Sequence, residues 1–318
     1  MSTKKTLVVF GATGIQGGSV AKAILSDPAA AEKFHIKAVT RDTSKPAATT
    51  LAELGAELIN ADMEDKDSLR KAMKDAYAVF LVTLMEDFDY AAETRKGMNV
   101  ADICKETGVK HLVWSSLPYI SKISNGKYTA AVHFDGKAVV DEHIRSLGVP
   151  HTIIHVGTYI KFLLESFAPL STDPQTYRLS FPKPASLDTE LPLIDAAADV
   201  GKFVKGILLN PEKSLGQQLN VAYRFYTVRQ FVETIKAHGV KVTFQALEKD
   251  DFKAGMAAYG LPEFFQEDVA QVLQFGAEYG LFAGGRGVEE AQQLLGEPLT
   301  SLEESLQSSA VFARLKKE

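Results

Sequence analysis

The segment Thr6-Leu-Val-Val-Phe10 runs directly into Gly11-Ala-Thr-Gly14-Ile-Gln-Gly17, and this junction decides the fold. The first five residues are mostly apolar and β-branched, which favours a buried strand. The glycines are spaced three apart, and the residues after them have the apolar spacing of an amphipathic helix. A strand, a glycine turn and a helix in this order bring backbone N–H groups and a helix N-terminus to one point. We therefore predict the pyrophosphate turn of a dinucleotide site, the alternative being an ordinary glycine-rich turn.

Strand-like and helix-like patterns alternate through the first half of the chain. Apolar runs of four to six residues are separated by stretches with helical periodicity, and Gly55, Gly108 and Gly148 stand where helices are expected to end. Repeated βα units imply right-handed crossovers and a doubly wound parallel sheet. The predicted fold class is therefore α/β, of the NAD(P)-binding Rossmann type.

The alternation stops near residue 157, where a proline-containing stretch begins. We predict a dinucleotide-binding Rossmann domain at residues 1–156, completed by residues 190–224. Residues 157–189 and 225–318 are expected to build a smaller, mostly helical α/β lobe. Within these regions we expect a helix over residues 193–209. We also expect a last helix that opens with the capping box Thr300-Ser-Leu-Glu303.

The residues after the second predicted strand bear on the choice between NAD(H) and NADP(H). NAD-binding sites tend to place an acidic residue there, which accepts hydrogen bonds from the ribose hydroxyls. This chain has Arg41 there, with Lys45 four residues on and Asp42 one place late. A guanidinium suits a 2′-phosphate through a charge-assisted pair, whereas the alternative is that both cations are solvated loop charges. We expect NADP(H), with Arg41 and Lys45 at its 2′-phosphate.

Two further strand ends are expected at the same edge of the sheet. The third strand ends at Asp62 and Met63, which could flank an adenine, and the fourth ends at Thr83, close to the inner ribose. Asp62 has an alternative role as the N-terminal cap of the helix that follows it.

A candidate reactive centre lies in the segment Tyr128-Thr-Ala-Ala-Val-His133-Phe-Asp-Gly-Lys137. Short-chain reductases commonly place a tyrosine four residues before a lysine, because the ammonium lowers the pKa of the phenol. Here His133 occupies the tyrosine position, one helical turn before Lys137. In one interpretation His133 is the general acid. In the other, which we favour from the residues alone, Lys137 only holds the ribose and His133 is a packed or hydrogen-bonded residue at the helix start, which the like charge of Lys137 favours in its neutral form.

The composition excludes several classes of function. A net charge of −5 over 318 residues argues against a nucleic-acid-binding surface, and no apolar stretch approaches the roughly 20 residues that span a bilayer. The single cysteine, Cys104, allows no internal disulfide. His151 and His155 are four residues apart on a predicted strand, about 13 Å, so we expect no metal site. With no room for a signal peptide before the first strand, we expect a cytoplasmic protein, and nuclear entry stays open.

The motifs together resemble those of the NmrA-like family of atypical short-chain dehydrogenases/reductases, and most of all its HSCARG-type NADPH sensors. The matching segments are residues 11–20, 39–41, 80–83, 133–137, 148–150 and 199–201. They are spread over most of the chain, and the segment 133–137 is the most specific of them. The resemblance implies an NADP(H)-binding Rossmann domain with a smaller C-terminal lobe. The implied cofactor contacts are Gly11, Thr13, Gly14, Ile15, Gln16, Gly17, Arg41, Lys45, Asp62, Met63, Thr83 and Lys137, with Val156 and Tyr159 near the nicotinamide.

Two functions are compatible with this resemblance. The first is a redox sensor that responds to NADP(H), binds a regulatory protein and has weak or no dehydrogenase activity. The second is an NADPH-dependent reductase of a small carbonyl or imine substrate that uses Lys137 and His133, with aromatic residues between 264 and 282 lining a pocket or filling a core. We expect a monomer or homodimer without direct nucleic-acid or membrane partners.

Overall fold

The computed structural model describes residues 4–170, 172–173, 175–284 and 287–316. The strands are β1 (Lys5–Val9), β2 (Phe34–Thr40), β3 (Glu57–Asn60), β4 (Ala76–Leu81), β5 (His111–Ser116), β6 (His151–Val156), β7 (Thr158–Tyr159), β8 (Ala168–Pro169), β9 (Tyr177–Pro182), β10 (Glu190–Ile194), β11 (Gln218–Val221), β12 (Arg224–Thr227) and β13 (Val242–Leu247). The helices of the first half are α1 (Ile15–Leu25), α2 (Pro28–Lys33), α3 (Pro46–Glu53), α4 (Lys66–Ala72), α5 (Tyr90–Thr107), α6 (Ile120–Ile123) and α7 (Val132–Leu147). Those of the second half are α8 (Ile160–Glu165), α9 (Ala196–Leu209), α10 (Pro211–Ser214), α11 (Val228–Ala237), α12 (Lys249–Ala257), α13 (Glu263–Tyr279), α14 (Val288–Gln292), α15 (Leu302–Ser308) and α16 (Ala310–Leu315).

Seven strands form one parallel sheet in the order β11-β6-β5-β4-β1-β2-β3. The order reverses between β1 and β4, so the carboxyl ends of these two strands flank the crevice in which open α/β sheets bind ligands. This confirms the predicted doubly wound α/β fold. The edge strand β11 comes from residues 218–221, far along the chain from the other six strands.

The two faces of the sheet carry separate apolar cores. On one face, α1 packs against α9 so closely that a Cβ at Gly201 would lie 2.1 Å from the carbonyl oxygen of Ser19. The Gly201 N–H donates to Ser19 Oγ at 2.9 Å. On the other face, α5 and α7 cover Trp114, which is fully buried. Both faces are thus closed, as a parallel sheet requires.

Two three-stranded sheets lie outside the main sheet, in the orders β12-β10-β7 and β13-β9-β8. The predicted helix over residues 193–209 is wrong at its start, because residues 190–194 form strand β10. This strand pairs with β7 and β12, and such distant partners leave no local pattern. The last capping box is also one residue later than predicted, since Ser301 caps α15 and Glu304 completes the box.

Among the residues that the structure describes, no helix combines the length and the apolar character needed to cross a bilayer.

Candidate functional site

The glycine turn after β1 requires its glycines for steric reasons. Gly11 has φ +62°, a conformation that L side chains rarely adopt, and the Gly14 N–H donates to its carbonyl at 2.9 Å. A Cβ at Gly17 would lie 2.2 Å from the Gly11 carbonyl oxygen and 2.7 Å from that of Phe10. The first turn of α1 therefore lies directly against the end of β1, as the sequence predicts.

The N-terminus of α1 is open to an anion. Its N-cap is Gly14, which has no side chain to bond the free N–H groups of the first turn, and no acidic residue lies in that turn. By contrast, α4 and α5 are capped by the carboxylates of Asp65 and Asp89. Free N–H groups and the positive end of the helix dipole together suit a pyrophosphate. The predicted contacts Thr13 and Ile15 flank this cap, at the turn and at the first helical residue.

A polar contact joins this helix to the loop after β6. Gln16 Nε2 donates to the Tyr159 hydroxyl at 2.6 Å, and burial raises the pKa of Tyr159 to about 12. Gln16 Oε1 is buried without a partner in the described chain, so it is free to accept a hydrogen bond from a ribose or carboxamide group. Val156, at the end of β6, is buried in the core beneath this contact. The residues present thus fit a dinucleotide at this edge of the sheet.

Arg41 follows β2, as predicted, but its guanidinium already has an anionic partner. Arg41 Nη1 donates to Glu86 Oε2 at 2.8 Å, and Nη2 donates to Glu86 Oε1. Lys96 contacts the same carboxylate at 3.0 Å, and these donors hold the pKa of Glu86 below its usual value, with Arg41 the largest cause. Lys45 is exposed at the N-cap of α3, and Asp42 accepts from Ser44. Sequence reasoning missed Glu86.

The two residues predicted beside the adenine lie just after β3. Asp62 Oδ1 accepts from the backbone N–H of Glu64 at 2.9 Å, whereas Asp65 caps α4. The alternative role of Asp62 as a helix cap is therefore wrong. Met63 is partly buried against the core beneath α4 and α5, and its carbonyl accepts from Asn99 Nδ2 at 3.0 Å.

Lys137 lies under the end of β4 in a fully satisfied polar network. Its Nζ lies 2.8 Å from Glu93 Oε1, 2.9 Å from Thr83 Oγ1 and 3.2 Å from the Thr83 carbonyl oxygen. An ammonium has three protons, so each has an acceptor. The side chains of Lys137 and Glu93 are 13% and 7% exposed, and Nζ lies 5.1 Å from the Trp114 ring centroid. The structure thus brings Thr83 and Lys137 together and adds Glu93, which the sequence analysis did not identify.

His133 is held by a buried carboxylate from the second lobe. Its Nδ1 lies 2.6 Å from Asp268 Oδ2 on α13, and the Tyr90 hydroxyl donates to the same oxygen at 2.7 Å. Asp268 is fully buried, and its Oδ1 has no partner in the described chain. Since a carboxylate can only accept, Nδ1 must donate, which leaves Nε2 for another group. Lys137 and His133 thus each contact a carboxylate of their own, Glu93 and Asp268.

Three of the five aromatic residues between 264 and 282, namely Phe275, Tyr279 and Phe282, pack into apolar clusters. Phe275 is fully buried and stacks on Tyr279 with ring centroids 5.0 Å apart, and Phe282 is buried against Phe225. Phe264 is half exposed and lies edge-on to Phe88, in the loop after β4. That contact joins the second lobe to the predicted cofactor edge.

No cluster of three or more His, Cys, Asp or Glu side chains suited to a metal ion occurs in the described part of the chain.

The seven-stranded parallel sheet, the glycine turn and the open helix N-terminus define an α/β protein with the NAD(P)-binding Rossmann fold. The chain belongs to the NmrA-like family, whose model matches residues 3–310. It is 29% identical to an NmrA-like family domain-containing protein of Dictyostelium discoideum, over 95% of this chain and 97% of that protein. It is 32% identical to the NmrA-like family domain-containing oxidoreductase cpsB of Aspergillus campestris, over 86% and 84%. The crystal structure of NmrA, a negative transcriptional regulator, in complex with NADP superposes with a TM-score of 0.76 at 21% identity, over 99% of this chain and 98% of that one.

Proposed function

We propose that this protein is an NADP(H)-dependent reductase of a small carbonyl or imine substrate, with His133 as the proton donor. The observation that carries the proposal is the pairing of His133 Nδ1 with the buried carboxylate of Asp268 at 2.6 Å. A buried carboxylate on one imidazole nitrogen fixes the tautomer and stabilises the imidazolium, as in catalytic histidine–aspartate pairs. The oxidoreductase name of the Aspergillus relative supports the same class of reaction.

The residues at the sheet edge suit NADP(H) from one end to the other. The N-terminus of α1 would bind the pyrophosphate, and Arg41 and Lys45 would bind the 2′-phosphate. Lys137 already has an acceptor for each of its three protons, so it would bind the inner ribose by exchanging one of them, of which the Thr83 carbonyl oxygen at 3.2 Å is the most distant. NmrA, a protein of the same fold, has been crystallised both with NADP and with NAD, which supports a nicotinamide dinucleotide here without favouring either one.

Each part of the centre has a separate chemical task. A bound reduced nicotinamide would supply the hydride that the carbonyl or imine carbon accepts. His133 gives its Nε2 proton to the substrate oxygen or nitrogen, so the neutral alcohol or amine leaves. The imidazole keeps its Nδ1–H on Asp268 and regains a proton at Nε2 from solvent, which its quarter-exposed side chain can reach. Tyr90 fills a further lone pair of the shared carboxylate oxygen and so fixes the orientation of Asp268.

The test is turnover of NADPH with a panel of small aldehydes, ketones and imines, measured by the absorbance of the reduced nicotinamide. His133→Gln should lower kcat by about 10²–10⁴-fold while NADPH binding is retained. His143→Gln is the matched control, because His143 lies on the same helix and pairs with a different carboxylate, Asp102, at 2.7 Å. Equal activity in the His133 variant and the wild type would overturn the proposed role.

A second candidate is an NADP(H)-responsive regulator. The observation that favours it is the contact of Phe88 with Phe264 and Phe265 of α13, at centroid distances of 6.0 and 5.0 Å. A change in the loop after β4 on cofactor binding would therefore reach the surface of the second lobe. Tight NADPH binding with no turnover across the panel would favour this candidate over the reductase.

A further inference from the structure

The Arg41 guanidinium is bound through two hydrogen bonds by a carboxylate of its own chain. Glu86 presents both oxygens to it, at the place where the sequence predicts the 2′-phosphate of NADP(H). Two parallel N–H···O bonds are the geometry by which arginine binds carboxylate and phosphate alike. Glu86 thus occupies the donors that a 2′-phosphate would need.

The contact belongs to a small network and is not an isolated surface ion pair, although the Arg41 side chain itself is 59% exposed. Lys96 joins it at 3.0 Å, and the side chains of Lys96 and Glu86 are 16% and 30% exposed. Isolated surface pairs contribute little, whereas partly buried networks with two-bond arginine geometry contribute more. Asp62 adds a further negative charge near Arg41, and Lys45 remains exposed on the other side.

The loop that carries Glu86 has a defined shape. The Asp89 N–H donates to the Glu86 carbonyl at 2.9 Å, which closes a turn around Asp87 and Phe88. Both central residues have positive φ, +50° and +57°, which is costly for residues other than glycine. The packing of Phe88 on α13 offsets this cost on one side of the turn, and the bonds of Glu86 offset it on the other. The loop therefore holds Glu86 against Arg41.

We propose that Glu86 is a specificity-determining residue that competes with the 2′-phosphate for Arg41 and so narrows the preference for NADP(H) over NAD(H). This inference rests on the proposed cofactor site. NADP(H) must replace one anion on Arg41 by another and leave Glu86 to Lys96 and water. NAD(H) carries a 2′-hydroxyl, which can donate to a carboxylate and leaves the Arg41–Glu86 contact intact. Glu86 therefore opposes the binding of one cofactor and not of the other.

The test is the dissociation constant for NADPH and NADH, measured by titration calorimetry, in the wild type and in Glu86→Gln. Glutamine keeps the size of the side chain and removes its charge. We expect NADPH to bind about tenfold more tightly in the variant, while the affinity for NADH changes less than twofold or falls. Two smaller probes test the adenosine half alone. In Glu86→Gln we expect tighter binding of adenosine 2′,5′-bisphosphate and little change in the affinity for 5′-AMP.

Glu106→Gln is the matched control, because Glu106 makes a two-bond contact with Arg70 at 2.6 and 3.0 Å, near the C-terminal end of α5. It should leave both dissociation constants unchanged. If NADPH binds equally to the wild type and Glu86→Gln, or if both cofactors gain equally, the inference is overturned and the cofactor site stands. If the wild type binds neither cofactor, both the inference and the proposed function fail.

Discussion

His133 on α7 and Asp268 on α13 are 135 positions apart in the chain, yet their side chains meet at 2.6 Å. The contact joins the Rossmann domain to the second lobe at the position where short-chain reductases keep their tyrosine. The second lobe thus supplies half of the candidate reactive pair.

Asp268→Asn should lower kcat by about 10²–10⁴-fold and leave NADPH binding intact. The amide can donate to Nδ1 and reverse the tautomer, so Nε2 would then carry the only proton without the support of a negative charge. Steady-state kinetics on any substrate found in the NADPH assay, with binding measured separately, checks this. Tyr90→Phe removes only one hydrogen-bond donor to Asp268, so it should lower kcat less than Asp268→Asn does. A larger loss in Tyr90→Phe would contradict the proposed role of Asp268.

Arg41→Ala should weaken the affinity for NADPH by about 10–100-fold and the affinity for NADH by less than threefold. The reason is that hydrogen bonds to a charged group contribute about 1.5–3 kcal/mol, and only NADPH carries the 2′-phosphate. Calorimetric dissociation constants for both cofactors measure the difference. Arg70→Ala removes an exposed arginine that pairs with Glu106 and should change neither constant. Equal losses of both cofactors in Arg41→Ala would refute the 2′-phosphate assignment.

Gly17→Ala should lower the melting temperature and abolish dinucleotide binding, because its Cβ would lie 2.2 Å from a backbone oxygen of the glycine turn. Overpacking of this kind costs about 1–3 kcal/mol, or several degrees of Tm. The matched change is Gly276→Ala in α13, where a Cβ would meet nothing within 4 Å. Alanine there should leave Tm unchanged or raise it, since glycine is a poor helix former. Thermal unfolding followed by circular dichroism compares the two.

Lys137→Met should destabilise the fold by about 3–5 kcal/mol, because it leaves the carboxylate of Glu93 buried without its cation. The double variant Lys137→Met with Glu93→Leu should recover much of this loss, since an apolar pair of similar size avoids the unpaired charge. Denaturant unfolding of both variants gives the free energies. Additive losses would show that the two side chains act independently, against the network described above.

Stability should fall as the pH drops from 7 to 4, in part through His111. Burial, with a smaller effect of His151, lowers the pKa of His111 from 6.5 to about 4. Between these values the unfolded chain binds a proton that the folded protein does not, so the free energy of unfolding decreases with falling pH, by up to about 3 kcal/mol. His111→Gln removes this contribution. The stability gap between wild type and variant should therefore narrow from pH 7 to pH 4; a constant gap would contradict the shift.

The parts of the fold that depend on neighbouring residues could be predicted from the sequence. The strand, glycine turn and helix at the start of the chain are local, and so is the capping box at Thr227 and Gln230, which the structure contains. Strand β10 could not be predicted, because its pairing with β7 and β12 depends on distant residues while its apolar run continues into α9. The apolar periodicity of residues 193–209 favours a helix over the end of β10 as well as over α9.

The residues of the candidate site likewise fall into those that local sequence patterns predict and those that only the folded structure reveals. Arg41, Thr83 and Lys137 were placed from strand ends and helix spacing, whereas their carboxylate partners Glu86 and Glu93 lie in polar stretches that look like solvated surface. One feature of the sequence could have identified Asp268. It shares a helix face with Val272 and Phe275, and a carboxylate on an apolar face needs a partner.

One short stretch of chain, residues 82–93, supplies the carboxylates at both ends of the predicted cofactor. Glu86 lies on Arg41 at the adenosine end, and Glu93 with Thr83 holds Lys137 at the other. In the proposed site, the choice of cofactor and the arrangement of the reactive half would therefore not be independent traits. Exchange of this single segment between relatives would transfer both together, so a shift in cofactor preference would bring a changed reactive centre with it.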